Sequence, residues 1–263
     1  MDLGLKGKTA LVAASSRGLG KAVAIALARE GAKVAITARG EERLYATAEE
    51  IRQLTGSTVL AVPADVSSAA EIEALMDRVL AEFGHVDILV NNAGGPRPGQ
   101  FADMTDDDWL RAVQLNLMST IRLTRRALPE MRARRWGRII NITSTSVKQP
   151  LPNLILSNTV RAGVVAMAKT LSSEIAAEGI TVNNVCPGYT LTDRIQQLAE
   201  SNAETEHTTP DAIMDRWRGS IPAGRLGKPE ELAALVAFLA SEQAAYITGT
   251  TTQVDGGAVK SLL

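Results

Sequence analysis

The stretch Thr9-Ala-Leu-Val-Ala-Ala14-Ser-Ser-Arg-Gly18-Leu-Gly20, continued by Lys21-Ala-Val-Ala-Ile-Ala-Leu-Ala-Arg-Glu30 and Lys33-Val-Ala-Ile-Thr-Ala38, decides the fold. The first apolar run has the length of a buried strand. The run from Lys21 has the small-residue composition of a packed helix. Gly31 closes that helix, where a left-handed cap costs glycine least. The second apolar run is another buried strand. Strand, glycine-bearing turn, helix and strand within about thirty residues form a βαβ unit with parallel strands. The helix starts at the glycine turn, so its free N–H groups and positive dipole end suit a phosphate. Ala14, Ser16, Arg17, Gly18, Leu19 and Gly20 are the expected contacts. A stricter glycine pattern would place Gly at position 14; alanine stays small but loses easy access to positive φ.

Position 39 bears on which nucleotide fits. An acid about twenty residues past the turn would hold a ribose 2′-hydroxyl. Arg39 stands there instead, with Arg17 in the turn. Two guanidiniums suit a 2′-phosphate, so NADP is expected over NAD. After a third strand at Thr58–Val62, Asp65 and Val66 are placed to meet an adenine ring, although a plain turn acid explains Asp65 equally well.

Outward from this unit the same alternation continues. Leu44, Ala48, Ile51 and Leu54 recur at helical spacing. Ser68 and Glu71 read as a capping box, and Ile72, Leu75, Met76, Val79, Leu80 and Phe83 as one core face. Asp87–Gly94 is a fourth strand entering an amide-rich turn, where Asn92, Ala93 and Gly94 are expected to border the cofactor. A long helix is expected from Asp106 to about Arg135, kinked or broken at Pro129. It carries Asn116 in the apolar company of Val113, Leu115 and Leu117. Seven arginines from Arg122 to Arg138 read as a solvated face with helix-end charge, or as a dock for an acidic partner such as a carrier protein or a CoA thioester. A fifth strand ends at Thr143-Ser144, a helix lies within Asn153–Glu178, and a sixth strand, Ile180–Cys186, turns at Pro187-Gly188. Thr190–Gly219 is polar and reads as a lid or a partly irregular segment. A helix after Pro229 and a last strand at Thr250–Val254 complete the chain. Strands alternating with helices predict an α/β fold with a doubly wound parallel sheet, helices on both faces, and one domain over residues 1–263.

With 263 residues, 45% of them apolar, and a formal charge of −1, nothing in the composition favours nucleic acid or membrane as partner. The single Cys186 excludes an internal disulfide and suits a reducing cytoplasm. No window has the length of a membrane span or of a signal peptide.

Several motifs in this order resemble the short-chain dehydrogenase/reductase family, and within it the 3-oxoacyl-acyl-carrier-protein reductases. They are Ser15-Ser-Arg-Gly-Leu-Gly20, Asn91-Asn-Ala-Gly94, Asn116, Gly137–Ser144, Pro187-Gly188 and Val254-Asp-Gly-Gly257, and the resemblance spans essentially the whole chain. It implies a Rossmann fold of seven strands, NAD(P)H over the carboxyl edge, and frequently a homotetramer or homodimer using the helices after the fourth and fifth strands. It also implies that Thr192 meets the nicotinamide carboxamide.

The family's catalytic set is Asn, Ser, Tyr and Lys. Asn116 and Ser144 match it, but the Tyr and Lys positions hold Ser157 and Arg161. A serine hydroxyl is a far weaker acid than a phenol, and a guanidinium does not relay protons. Arg161 is still suited to binding ribose hydroxyls and stabilising an oxyanion. Substitute acids are Lys148, in the loop after Ser144, Tyr189, after the Pro-Gly turn, and His207 in the lid; His85 lies at the wrong end of the sheet. The expected function is NADP-dependent reduction of a carbonyl or 3-oxoacyl substrate with a nonstandard proton donor. A noncatalytic NADP(H)-binding protein, or lyase or isomerase chemistry, stay open as alternatives.

Overall fold

Thr9–Val12 (β1) is buried at every position, as a strand covered on both faces must be. The computed structural model, which describes residues 1–262, carries it through the glycine turn into Gly18–Arg29 (α1). Lys33–Ala38 (β2) returns parallel to β1, with Thr9 opposite Lys33. The same step repeats through Glu41–Thr55 (α2), Val59–Pro63 (β3), Ala69–Phe83 (α3) and Ile88–Asn91 (β4). Asp106–Ala112 (α4) and Ser119–Arg134 (α5) lead to Gly137–Ile142 (β5), and Ile155–Ile175 (α6) leads to Ile180–Pro187 (β6). Asp193–Glu206 (α7), Pro210–Ser220 (α8) and Pro229–Ala240 (α9) precede Thr251–Val254 (β7).

All pairings are parallel, in the order β3-β2-β1-β4-β5-β6-β7. The chain winds outward from β1 to β3, then resumes at β4 on the other side of β1. Such a reversal opens a crevice at the strands' carboxyl ends. Apolar residues of α1, α2 and α9 cover one face of the sheet, and those of α3, α5 and α6 the other. Across the second half runs a ladder of buried amides. Asn91 Nδ2 donates to Asn141 Oδ1 and Asn141 Nδ2 to Asn184 Oδ1, both at 2.9 Å, and Asn184 Nδ2 donates to Thr251 Oγ1 at 3.1 Å. A slip of register would strand these amides at about 1–3 kcal/mol each. The ladder therefore fixes β4 to β7 relative to one another, just below the crevice.

Three expectations are corrected. The helix after Asp106 is interrupted at Val113–Met118, not at Pro129, which α5 contains. Pro129 and Arg125 are both exposed, so the carbonyl freed by the missing N–H faces water. The interruption is a widened π-helical turn that places Asn116 on the buried side. Residues 190–219 are mostly the helices α7 and α8, whose Ile195, Ala199, Ile213 and Trp217 form a small core of their own. The capping box is half made: Ser68 Oγ accepts from Glu71 N, but the Glu71 carboxylate accepts from Asp65 N at 2.8 Å. The basic run is largely neutralised within the chain, by Glu73 and Asp77 on Arg126, Glu178 on Arg132, Asp87 on Arg134 and Glu242 on Arg138.

The turn after β1 is tight. A Cβ on Gly20 would lie 2.5 Å from the Ala14 carbonyl oxygen. Ala14 has φ 47°, the left-handed region that its side chain disfavours, at a cost of about 1–2 kcal/mol. Asn92 holds it there, its Nδ2 donating to the carbonyls of Ala13 and Ala14, both at 3.2 Å. Ala14→Gly relieves the strain but gives the unfolded chain about 0.4–1 kcal/mol of extra entropy. Its melting temperature should stay level or rise by up to about 3 °C; a fall of several degrees would contradict the strained turn. Gly20→Ala should lower it.

Candidate active site

The crevice is a cleft of about 710 Å³ along the carboxyl edge. Its two ends are built from different elements. At the first, α1 begins with no side-chain cap and no acid in its first turn, so its leading N–H groups are left for a ligand. Ser16, Arg17, Gly18 and Leu19 line this part. Arg17 Nη1 stands 2.7 Å from Asp193 Oδ2, and Arg43 Nη1 stands 3.5 Å from the same oxygen. Arg39, 80% exposed, lies 3.9 Å from Asp65. Arg17 thus turns to the start of α7 rather than pairing with Arg39, and Arg43 joins it. Asp65 is a turn acid as well as part of the wall: its Oδ1 accepts from Ser67 N and Ser67 Oγ. Val66 is buried beside it. An uncapped helix start with three arginines fits a nucleotide's phosphates and 2′-phosphate.

At the other end, β5 delivers Ser144 and α6 delivers Ser157 and Arg161. Ser144 Oγ accepts from Ser146 N at 3.1 Å, and Ser157 Oγ accepts from Arg161 Nε at 3.3 Å. Each hydroxyl is thus oriented by an acceptor bond and keeps its own proton for the cleft. Arg161 is 9% exposed. Its Nη1 donates to the carbonyls of Ile142 and Thr143 at 3.1 and 3.2 Å, and its Nη2 to that of Ala93 at 3.5 Å. Burial, reinforced by the neighbouring charge of Arg194, pushes the Arg161 guanidinium down to about 10. Arg194, in the first turn of α7, is half-buried and reaches across the cleft to the Pro96 carbonyl at 3.0 Å; burial lowers it too. Among the described residues neither guanidinium has a carboxylate partner.

Ala14, Asn92, Ala93 and Gly94 also line the cleft, as do Pro187, Gly188 and Thr192. Asn116 stands behind Gly94: it is buried, its Nδ2 donates to Gly94 O at 3.0 Å, and its Oδ1 has no partner.

The other sequence candidates lie elsewhere. Lys148 caps the short turn after Ser144 but is outside the cleft. Tyr189 stacks on Trp217 with ring centroids 4.6 Å apart, and burial raises its phenol. It lines a side recess of about 210 Å³ that shares Leu154 and Leu198 with the cleft. His207 ends α7 in solvent. His85 lies 3.1 Å from Asp87, near the amino ends of β1 and β4. Among the described residues, no Tyr, His or Lys lines the cleft. Arg43, Asp193 and Arg194 escaped the sequence reading. The four-residue step from Arg39 was a usable signal for Arg43 alone, since Asp193 and Arg194 meet the cleft only through tertiary folding.

A family model described as enoyl-(acyl carrier protein) reductase matches residues 13–259. The chain is 40% identical over 253 residues to a 3-oxoacyl-[acyl-carrier-protein] reductase of Haemophilus influenzae, covering 96% of this chain and 98% of the relative. It is 39% identical to a putative ketoacyl reductase of monensin polyketide synthesis from Streptomyces virginiae, over 95% and 96% of the two chains. Among solved structures, L-sorbose reductase of Gluconobacter frateurii in complex with NADPH and L-sorbose superposes with a TM-score of 0.94 at 35% identity, each chain covered in full. Actinorhodin polyketide ketoreductase with NADPH gives 0.93 at 37% identity, covering 97% of this chain and 98% of the other.

Cys186 lies one residue before the end of β6, fully buried, with Sγ 3.1 Å from Thr143 Oγ1. Burial raises its thiol, so alkylating reagents should leave it unmodified in the native protein and react fully only in denaturant. Rapid labelling of native protein would contradict the packing described.

Proposed function

The chain belongs to the short-chain dehydrogenase/reductase family, and on that premise we propose that it is an NADPH-dependent reductase of a carbonyl or 3-oxoacyl-type substrate that works without a phenol. The observation that carries this is the pair of cleft-facing hydroxyls, Ser144 and Ser157, backed by the buried charge of Arg161. The α1 start, with Arg17, Arg39 and Arg43, would hold the phosphates, and those arginines support NADP over NAD. Thr192, Pro187 and Gly188 would border the nicotinamide. Bound there, the reduced cofactor supplies a hydride to the carbonyl carbon.

The protein's part is to stabilise the oxyanion. Ser144 and Ser157 each donate a hydrogen bond to the carbonyl oxygen, and these bonds strengthen as negative charge develops on it. Arg161 polarises the Ser157 hydroxyl through Nε and places its positive charge one hydroxyl away. The final proton comes through Ser157 from solvent entering the cleft, Lys148 and Tyr189 being outside it. Asn116 positions Gly94 against the cofactor. The helices α7 and α8 act as the lid, and the recess beside Tyr189 is the entrance. The homo-oligomer implied by the family is supported by the small exposed residues Thr159, Ala162 and Ala166 on α6.

Three results are expected. Ser157→Ala should lower kcat by about 10²-fold with little change in KM, since it removes one oxyanion donor; a KM effect alone would count against this role. Below pH about 10 Arg161 carries its charge, so kcat should be level from about pH 6 to 9 and fall as pH rises through about 10. A break near neutrality would reveal a different acid. Arg43→Ala should weaken NADPH binding by about tenfold and leave NADH nearly unaffected; equal losses would contradict the 2′-phosphate assignment.

A further inference from the structure

Charge is distributed unevenly along the cleft. At the adenosine end three arginines face two aspartates, Asp193 between Arg17 and Arg43, and Asp65 near Arg39. At the reacting end Arg161 and Arg194 face the cleft and, among the described residues, neither is paired with an acid, the Asp193 carboxylate beside Arg194 being turned to Arg17 and Arg43. Buried charge is costly unless something neutralises it. The phosphate-binding turn follows β1, whereas Arg161 hangs from the ends of β4 and β5, the latter two strand spacings or about 10 Å away. The cofactor's phosphates are therefore poorly placed to neutralise it. Donors are also free. A guanidinium has five N–H groups. Arg194 spends one of them on Pro96 O, and the Nη2 of Arg161 makes only its 3.5 Å bond to Ala93 O.

We propose that Arg161 and Arg194 form a carboxylate subsite, so that the preferred substrate is a short 2- or 3-oxo acid rather than a neutral ketone or thioester. This rests on the reductase reading above and narrows it. With the ketone oxygen on Ser144 and Ser157, a carboxylate one or two carbons away reaches the two guanidiniums, Arg194 offering the paired donors that a carboxylate accepts. Closing α7 over the cleft brings Arg194 in with the lid, so substrate charge and lid closure are coupled.

The test compares NADPH oxidation with 2-oxobutanoate and acetoacetate against their methyl esters, in the native protein, Arg194→Met and Arg194→Lys. Arg194 is chosen because removing the buried Arg161 endangers folding. NADPH affinity is measured in parallel by fluorescence. The acids are expected to exceed the esters in kcat/KM by about 10-fold or more. Arg194→Met should erase that ratio and Arg194→Lys restore part of it, with NADPH affinity held within about threefold. Esters reduced as well as acids would overturn the subsite while leaving the reductase intact. An Arg194→Met variant that loses NADPH affinity and keeps the ratio would overturn it too, assigning the anion to the cofactor. If no compound oxidises NADPH, the reductase reading fails and binding decides the subsite. Thermal stabilisation of the NADP⁺-loaded protein by 2-oxobutanoate, lost in Arg194→Met, would uphold it, and no stabilisation would overturn it.

Discussion

A guanidinium with no carboxylate partner among the described residues sits at the carboxyl edge of the sheet, and the site is arranged around it. Arg161 is held by dipoles rather than by a charge: the carbonyls of Ile142 and Thr143 at the end of β5, that of Ala93 past the end of β4, and the Ser157 hydroxyl. Burial depresses its pKa from the ordinary guanidinium range to about 10, on the order of 3 kcal/mol against the charged form. That cost is present in full below pH about 10 and is relieved only above it. Against a net stability of roughly 5–15 kcal/mol this is a large burden. What it secures is orientation. One side chain ties two strand ends together, fixes the Ser157 hydroxyl, and faces the cavity with a charge that does not titrate near neutrality.

The fold supports that arrangement from below and from the side. The amide ladder from Asn91 to Thr251 fixes the strands that deliver Ser144 and Ala93. Asn92 clamps the strained turn at Ala14, and Asn116, rotated inward by the widened helical turn, clamps Gly94. Two asparagines, one in a loop and one in a helical turn, thus do by hydrogen bonding what packing does elsewhere in the core. The first turn of α7 spans the cleft, with Asp193 reaching Arg17 and Arg43 on one side and Arg194 reaching Pro96 on the other. The Arg17 end and the Pro96 side of the cleft are therefore linked through two adjacent residues of α7.

Much of this was legible in the chain. Apolar runs of strand length, separated by helical periodicity and glycine turns, sufficed for the parallel sheet, because such patterns have few alternative packings. The substitutions at Ser157 and Arg161 stood out against the family's spacing. What escaped was whatever depends on distant partners or on compensated local cost. Pro129 looked like a break, but its freed carbonyl faces water and the helix continues. Ala14 looked unable to take a positive φ, yet the Asn92 clamp holds it at 47°. The segment from Thr190 reads as a lid or a partly irregular stretch, and its helices escape notice because its few apolar residues are spaced to meet one another across two helices. Tyr189 looked like a substitute acid until Trp217, distant in sequence, took its ring.

The central claim is that this corner transfers a hydride with serine hydroxyls and a buried cation in place of a phenol. It is tested most directly by supplying NADPH deuterated at its transferable position with a panel of carbonyl and 3-oxoacyl compounds, and following the label. The account predicts deuterium on the new alcohol carbon of at least one product, and its loss when Ser144 is replaced by alanine. Cofactor that binds but keeps its label, with no alcohol formed from any compound, would contradict it.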